Sequence, residues 1–137
     1  MSAKDEVRST IEQFFHAMDT QNLELMQQLI PRSETTTHIG TDEGEIWQGW
    51  EVLNEATKEQ FQGLEYYRAT IKELTINLSE SKTVAWYFHH LDAEIKSNGN
   101  ITRWRGARFT GVLEKKNGRW LLTQTHVSIP ESASVKA

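Results

Sequence analysis

Near the start of the chain, apolar side chains recur at helical spacing. Val7, Ile11, Phe14, Phe15 and Met18 form one stripe, and Lys4, Glu6, Arg8, Glu12 and Gln13 cover the rest of the surface. This predicts a helix over residues 3–18. Asn22 is placed to cap a second, short helix carrying Leu23, Leu25, Met26, Leu29 and Ile30, which Pro31 closes. Residues 19–21 leave room only for a tight turn between them. The period then changes. Residues 35–39 are mostly β-branched and read as a short strand ended by Gly40, and residues 41–49 hold a turn with a second short strand around Ile46 and Trp47. Helical spacing returns from residue 50 to about 62, through Val52, Leu53, Ala56 and Phe61, with Gly63 as the stop.

Everything after Leu64 reads as strand. Four long segments, at about 65–78, 83–96, 101–115 and 119–129, are joined by residues 79–82, by Asn98 and Gly99, and by Asn117 and Gly118. Asn-Gly between alternating runs signals a two-residue hairpin, because both central positions of that turn need positive φ. Two in succession predict a meander and act as rulers for strand pairing. Counting back from the first turn sets Asp92 opposite Arg105, Glu94 opposite Arg103 and Phe88 opposite Phe109. The second sets Phe109 opposite His126 and Gly111 opposite Gln124. An unbroken register therefore gathers Trp86, Phe88, His90, Asp92, Arg105, Phe109, Trp120, Leu122, Gln124 and His126 on one face. Tyr87, His89, Leu91, Ile95, Trp104 and Val127 fall on the other. A β-bulge marked by Gly106 or Gly111 would swap part of this assignment. Neither face is plainly polar, so each calls for a partner: the helices on one side, and a second copy of the chain on the other.

The fold class expected is thus α+β, a helical N-terminal half packed into a curved antiparallel sheet that encloses a pocket. Residues 1–137 are expected to form one domain with an ordered core over about 5–130, ended by Pro130 and a Ser-Ala-Ser tail. Five Trp, five Phe and three Tyr supply much of the burial in a chain only 37% hydrophobic. A net charge of −4, without runs of like charge, argues against nucleic acid or an anionic membrane as partner. The absence of cysteine removes disulfides, thiolate nucleophiles and Cys-ligated zinc. No stretch approaches the ~18 apolar residues of a membrane span, and the first ten residues lack the apolar core of a signal peptide, so the cytoplasm is the expected compartment.

The run RFTGVLEKKNGRWLL from Arg108 to Leu122, followed by THVSIP from Thr125, resembles the closing hairpin of SnoaL-like proteins, in the superfamily of nuclear transport factor 2 and ketosteroid isomerase. The stretch HIGTDEGEIWQG from His38 is similar to that family's segment between the first strand and the third helix. The resemblance spans roughly residues 5–130. It implies a cone-shaped roll, N-terminal helices packed on a strongly curved mixed or antiparallel sheet with a pocket at the open end, dimers joined through outer sheet faces, and His126 pointing inward with Trp120 and Leu122. Isomerase chemistry would need a tyrosine donor in the first helix, where Phe14 or Phe15 stands, and neither can donate.

Three functions follow as expectations. The first is binding of a small molecule inside the cone, with Trp47, Trp86, His90, Arg105, Phe109 and Gln124 as contacts. The second is an isomerase, cyclase or hydrolase using Asp92 and His126 as acid and base, since a carboxylate near imidazoles in a partly apolar cavity can be tuned towards neutrality. An Arg105 opposite Asp92 opposes that tuning by favouring the ionised carboxylate. The third is a dimeric protein-interaction module. No metal and no cofactor are expected: His38, His90 and His126 lack any closely spaced ligating pair, and His89 and His90 point to opposite faces.

Overall fold

The first helix, α1 (Ala3–Thr20), starts on a reciprocal cap. The Ser2 hydroxyl accepts from the Asp5 amide while the Asp5 carboxylate accepts from the Ser2 amide. Its buried stripe is Val7, Ile11, Phe15 and Met18. The second helix, α2 (Leu23–Leu29), is capped by the Asn22 side chain, which accepts from the Leu25 amide at 3.0 Å. Two short strands follow, β1 (Thr37–Ile39) and β2 (Ile46–Gln48), then α3 (Trp50–Gly63) and four long strands: β3 (Leu64–Leu78), β4 (Val84–Ser97), β5 (Asn100–Lys116) and β6 (Arg119–Ser128). This computed structural model describes residues 1–131, so the Ser-Ala-Ser tail lies outside the described residues. Both Asn-Gly turns take the expected form, with Asn98, Gly99, Asn117 and Gly118 all at positive φ.

The six strands make one sheet in the order β2-β1-β6-β5-β4-β3, antiparallel throughout except where β1 runs parallel to β6. Four irregularities bend it, the first at the start of β3 between Leu64 and Tyr66. In β3 the pairing shifts between Lys72 and Thr75, where Glu73 sits at φ 56°. In β5 an extra residue enters beside Asp92, with Gly106 at φ 65°. In β6 it enters at Thr123, between the pairs Leu113–Leu122 and Val112–Gln124. Bulges raise local twist and turn a flat meander into a wrapped surface. The helices fill its concave side, around a core that includes Ile11, Leu91, Leu113 and Leu122.

Aromatic packing organises the inner face. The His89 ring, fully buried, lies between Tyr87 and Phe109, nearly parallel to both at 5.7 and 5.3 Å, and Phe15 meets it edge-on from α1. Gly111 makes room for Tyr87: a Cβ there would stand 2.6 Å from the Tyr87 ring and 2.5 Å from the Gln124 carbonyl oxygen. His89 Nδ1 donates to the His90 carbonyl at 2.9 Å, so Nε2 is the bare acceptor, and it has no partner. Among the described residues no helix is long and apolar enough to cross a membrane, and no group of His, Asp and Glu is arranged to hold a metal ion.

Two imidazoles thus sit where charge is costly. Desolvation lowers the pKa of His89, and lowers that of His38, also buried, from 6.5 to about 4. An unfolded chain takes up the proton near 6.5, so between there and about 4 it binds more protons than the folded one. Stability therefore falls as pH falls through that window. For His38 the loss is on the order of 3 kcal/mol. Denaturant unfolding at pH 7 and pH 4.5 should show His38→Gln losing clearly less stability on acidification than the wild type; equal losses would mean that His38 is not buried as a neutral ring.

Candidate functional site

The two glycine turns set the pairing correctly near themselves, and the bulges then change it. Glu94 pairs with Arg103 as the ruler requires, but beyond Gly106 each β4 partner moves by one, so that Leu91 pairs with Ala107 and His89 with Phe109. Beyond Thr123, Phe109 pairs with Val127 and Thr110 with His126. Side chains alternate with period two, so each one-residue shift turns the following residues to the opposite face. The whole face expected on β4 is reversed: Tyr87, His89, Leu91 and Ala93 are buried inside, while Trp86 and Phe88 are exposed. On β6, Trp120 and Leu122 point inward as expected, but past the bulge it is Thr125 and Val127 that are buried, not Gln124 and His126. On β5, Phe109 and Ala107 keep their inward place and Trp104 replaces Arg105.

Asp92 is correspondingly outside. It does not oppose Arg105 in a regular pair; one carboxylate oxygen accepts from the Gly106 amide at 2.9 Å and the other from Lys72 Nζ at 2.6 Å. The Lys72 ammonium and then the Gly106 amide hold its pKa below the usual carboxylate value. Glu94 is similar, accepting from the Tyr66 hydroxyl at 2.7 Å and from Arg103 Nε at 2.9 Å, and its pKa is lowered for that reason. His90 packs against Phe88 on the same convex face. Arg105, Gln124 and His126 are exposed. The structure does not bring Asp92 and His126 together, since Asp92 meets β5 at Gly106 and His126 meets it at Thr110.

The concave side encloses a cavity of about 580 Å³. Its apolar wall includes Phe14 and Met18 from α1, Met26 from α2, Leu53 from α3, and Trp104 and Phe109 from β5. Of the residues singled out as site candidates, Trp47 and Phe109 line it. His38 lines it too, brought in by the parallel pairing of β1 with β6, with Nε2 3.4 Å from the Leu122 carbonyl oxygen. The Tyr67 side chain lines it from β3, only 3% exposed, its edge against Trp104. Burial alone raises the pKa of that phenol, and its hydroxyl has no hydrogen-bond partner among the described residues. At the rim stand Asp42 and Glu45, on the turn between β1 and β2. Glu45 Oε1 accepts from the Asp42 amide at 2.9 Å and lies over Gly40, where a Cβ would meet that oxygen at 2.5 Å.

Tyr67 and Trp104 escaped the sequence reading for different reasons. Trp104 was assigned to the outer face because Gly106 resets the alternation just beyond it. Tyr67 sits past a pairing shift between Leu64 and Tyr66, and no motif marks it.

Comparison with known structures places the fold among these relatives. A nuclear transport factor 2-like superfamily protein from Salmonella enterica serovar Typhimurium superposes with a TM-score of 0.82 at 18% identity, over 98% of this chain and 95% of its own. A candidate dehydratase of the same family from Streptomyces avermitilis gives 0.81 at 12% identity, over 93% and 96%. A protein of unknown function with a cystatin-like fold, from Nostoc punctiforme, gives 0.73 at 16%, over 96% and 94%. A comparison with curated proteins finds no match. The SnoaL-like domain profile matches residues 7–132, and with it the chain belongs to the SnoaL-like domain family.

Proposed function

We propose that the chain binds a small, largely apolar molecule inside the cone. The carrying observation is the cavity itself. At about 580 Å³ it falls within the roughly 300–1,000 Å³ typical of sites for small organic molecules. Its wall is aromatic and aliphatic, with a few polar groups that can orient a ligand, His38 and Tyr67 among them. Any chemistry performed there would rest on these two, because Asp92 and His126 face away. The setting we propose is the cytoplasm.

A second reading concerns the convex face, which we propose joins two copies of the chain. Support comes from Trp86, 47% exposed, and Phe88, 37% exposed, which stand side by side on β4 with half-buried Val112 beside Trp86 on β5. Large aromatic side chains in water at adjacent sheet positions are the usual core of an interface.

Two measurements test these readings. Nile red, a neutral dye that brightens in apolar surroundings, should fluoresce with the wild-type protein, and Ala56→Trp, which fills the cavity from α3, should weaken its binding about tenfold or more. Undiminished binding by that variant, shown folded by circular dichroism, would remove the dye and the proposed site from the cone. For the convex face, light scattering should give a dimer mass for the wild type and a monomer mass for Phe88→Glu; a monomeric wild type would end the dimer reading.

A further inference from the structure

The charge around the cavity is one-sided. Among the described residues that line it, only Asp42 and Glu45 carry formal charge, and none is a Lys or Arg. Arg105, the cation an unbroken register would have turned inward, is exposed on the convex side. His38 adds no positive charge, since burial keeps its ring neutral at physiological pH. A carboxylate-bearing ligand entering this cavity would lose its water and meet only like charge, with no cation to compensate. An ammonium group at the rim meets the opposite situation. Glu45 is fixed there by the Asp42 amide and by its seat over Gly40, so little side-chain freedom is lost on binding. Half-buried Trp47 also lines the cavity and offers a π face for a cation.

Deeper in, Tyr67 lines the cavity, and its hydroxyl makes no hydrogen bond to another described residue. That hydroxyl is free to hydrogen-bond a polar group on whatever fills the space.

We infer that the cavity takes a small organic amine, with its protonated nitrogen at Asp42 and Glu45 and its apolar ring among Phe14, Trp104 and Phe109, and that the Tyr67 hydroxyl hydrogen-bonds a polar ring atom. This rests on the cone being a binding site at all. Binding is non-covalent and involves no bond change in the ligand.

The experiment is displacement of Nile red by three indoles of similar size that differ in charge: tryptamine, the neutral alcohol tryptophol and the anion indole-3-propionate. Tryptamine should bind about tenfold tighter than tryptophol, and indole-3-propionate at least about tenfold weaker than tryptophol. In the double variant D42N/E45Q, which keeps the turn's hydrogen-bonding atoms, the three should draw within about threefold of each other. Tyr67→Phe should weaken tryptamine about fivefold, and an unchanged affinity would remove the hydroxyl from the site. Equal displacement by all three indoles, tighter binding of the anion, or displacement by none while the dye itself binds, would overturn the amine inference and leave the binding reading standing. Failure of Nile red to bind the wild type would overturn both.

Discussion

The carboxylate of Asp92 holding the Gly106 amide is the contact on which the inside and outside of this protein depend. It sits at the point where β5 carries one residue more than β4, and Gly106 takes the positive φ that such an insertion requires. Lys72 closes the arrangement from β3 and keeps the carboxylate ionised. Because the side-chain period of a strand is two, this one insertion turns Tyr87, His89 and Leu91 into the core and leaves Trp86, Phe88 and His90 on the convex side. Asp92 therefore has a structural task that competes with general-base chemistry. A base must give up a tightly paired, charge-stabilised state to accept a proton, and two donors here oppose it.

What the register puts inside is mostly aromatic, and the polar groups that go in with it are kept neutral. The Tyr87, His89 and Phe109 stack fills the space under α1, which is why a glycine is needed at position 111. His38 and Tyr67 reach the cavity from strands that are distant in sequence, β1 and β3, and burial pushes both away from their charged forms. The interior thus has hydrogen-bonding capacity without charge, and among the described residues the formal charge at the cavity is negative and at its rim. A family fold shared at under 20% identity with the relatives described here says nothing of that balance. It comes from this chain's own residues.

Much of the architecture was legible in the sequence, because it rests on local signals. The helices follow from the stripes of Val7 to Met18 and Leu23 to Ile30, the Asn22 cap was readable, and both Asn-Gly turns adopt the geometry that their residues favour. The faces were not legible beyond the first few pairs. Gly106 and Gly111 look alike in the sequence; one supplies a positive φ and the other a space for Tyr87. At Thr123 the extra residue is accommodated with no glycine, its hydroxyl donating to Glu114 at 2.8 Å. Nothing local announces that. Trp47 and Phe109 were expected at the cavity and line it, whereas Tyr67 and Trp104 depended on pairings that only the assembled sheet decides.

The register is therefore the claim to test, and backbone NMR reads it directly, whatever the oligomeric state. Cross-strand nuclear Overhauser contacts within each chain should join Leu91 to Ala107 and Phe109 to Val127. Contacts joining His90 to Ala107 and Phe109 to His126 instead would describe an unbroken meander, and would return Arg105, Asp92 and His126 to the inside of the cone.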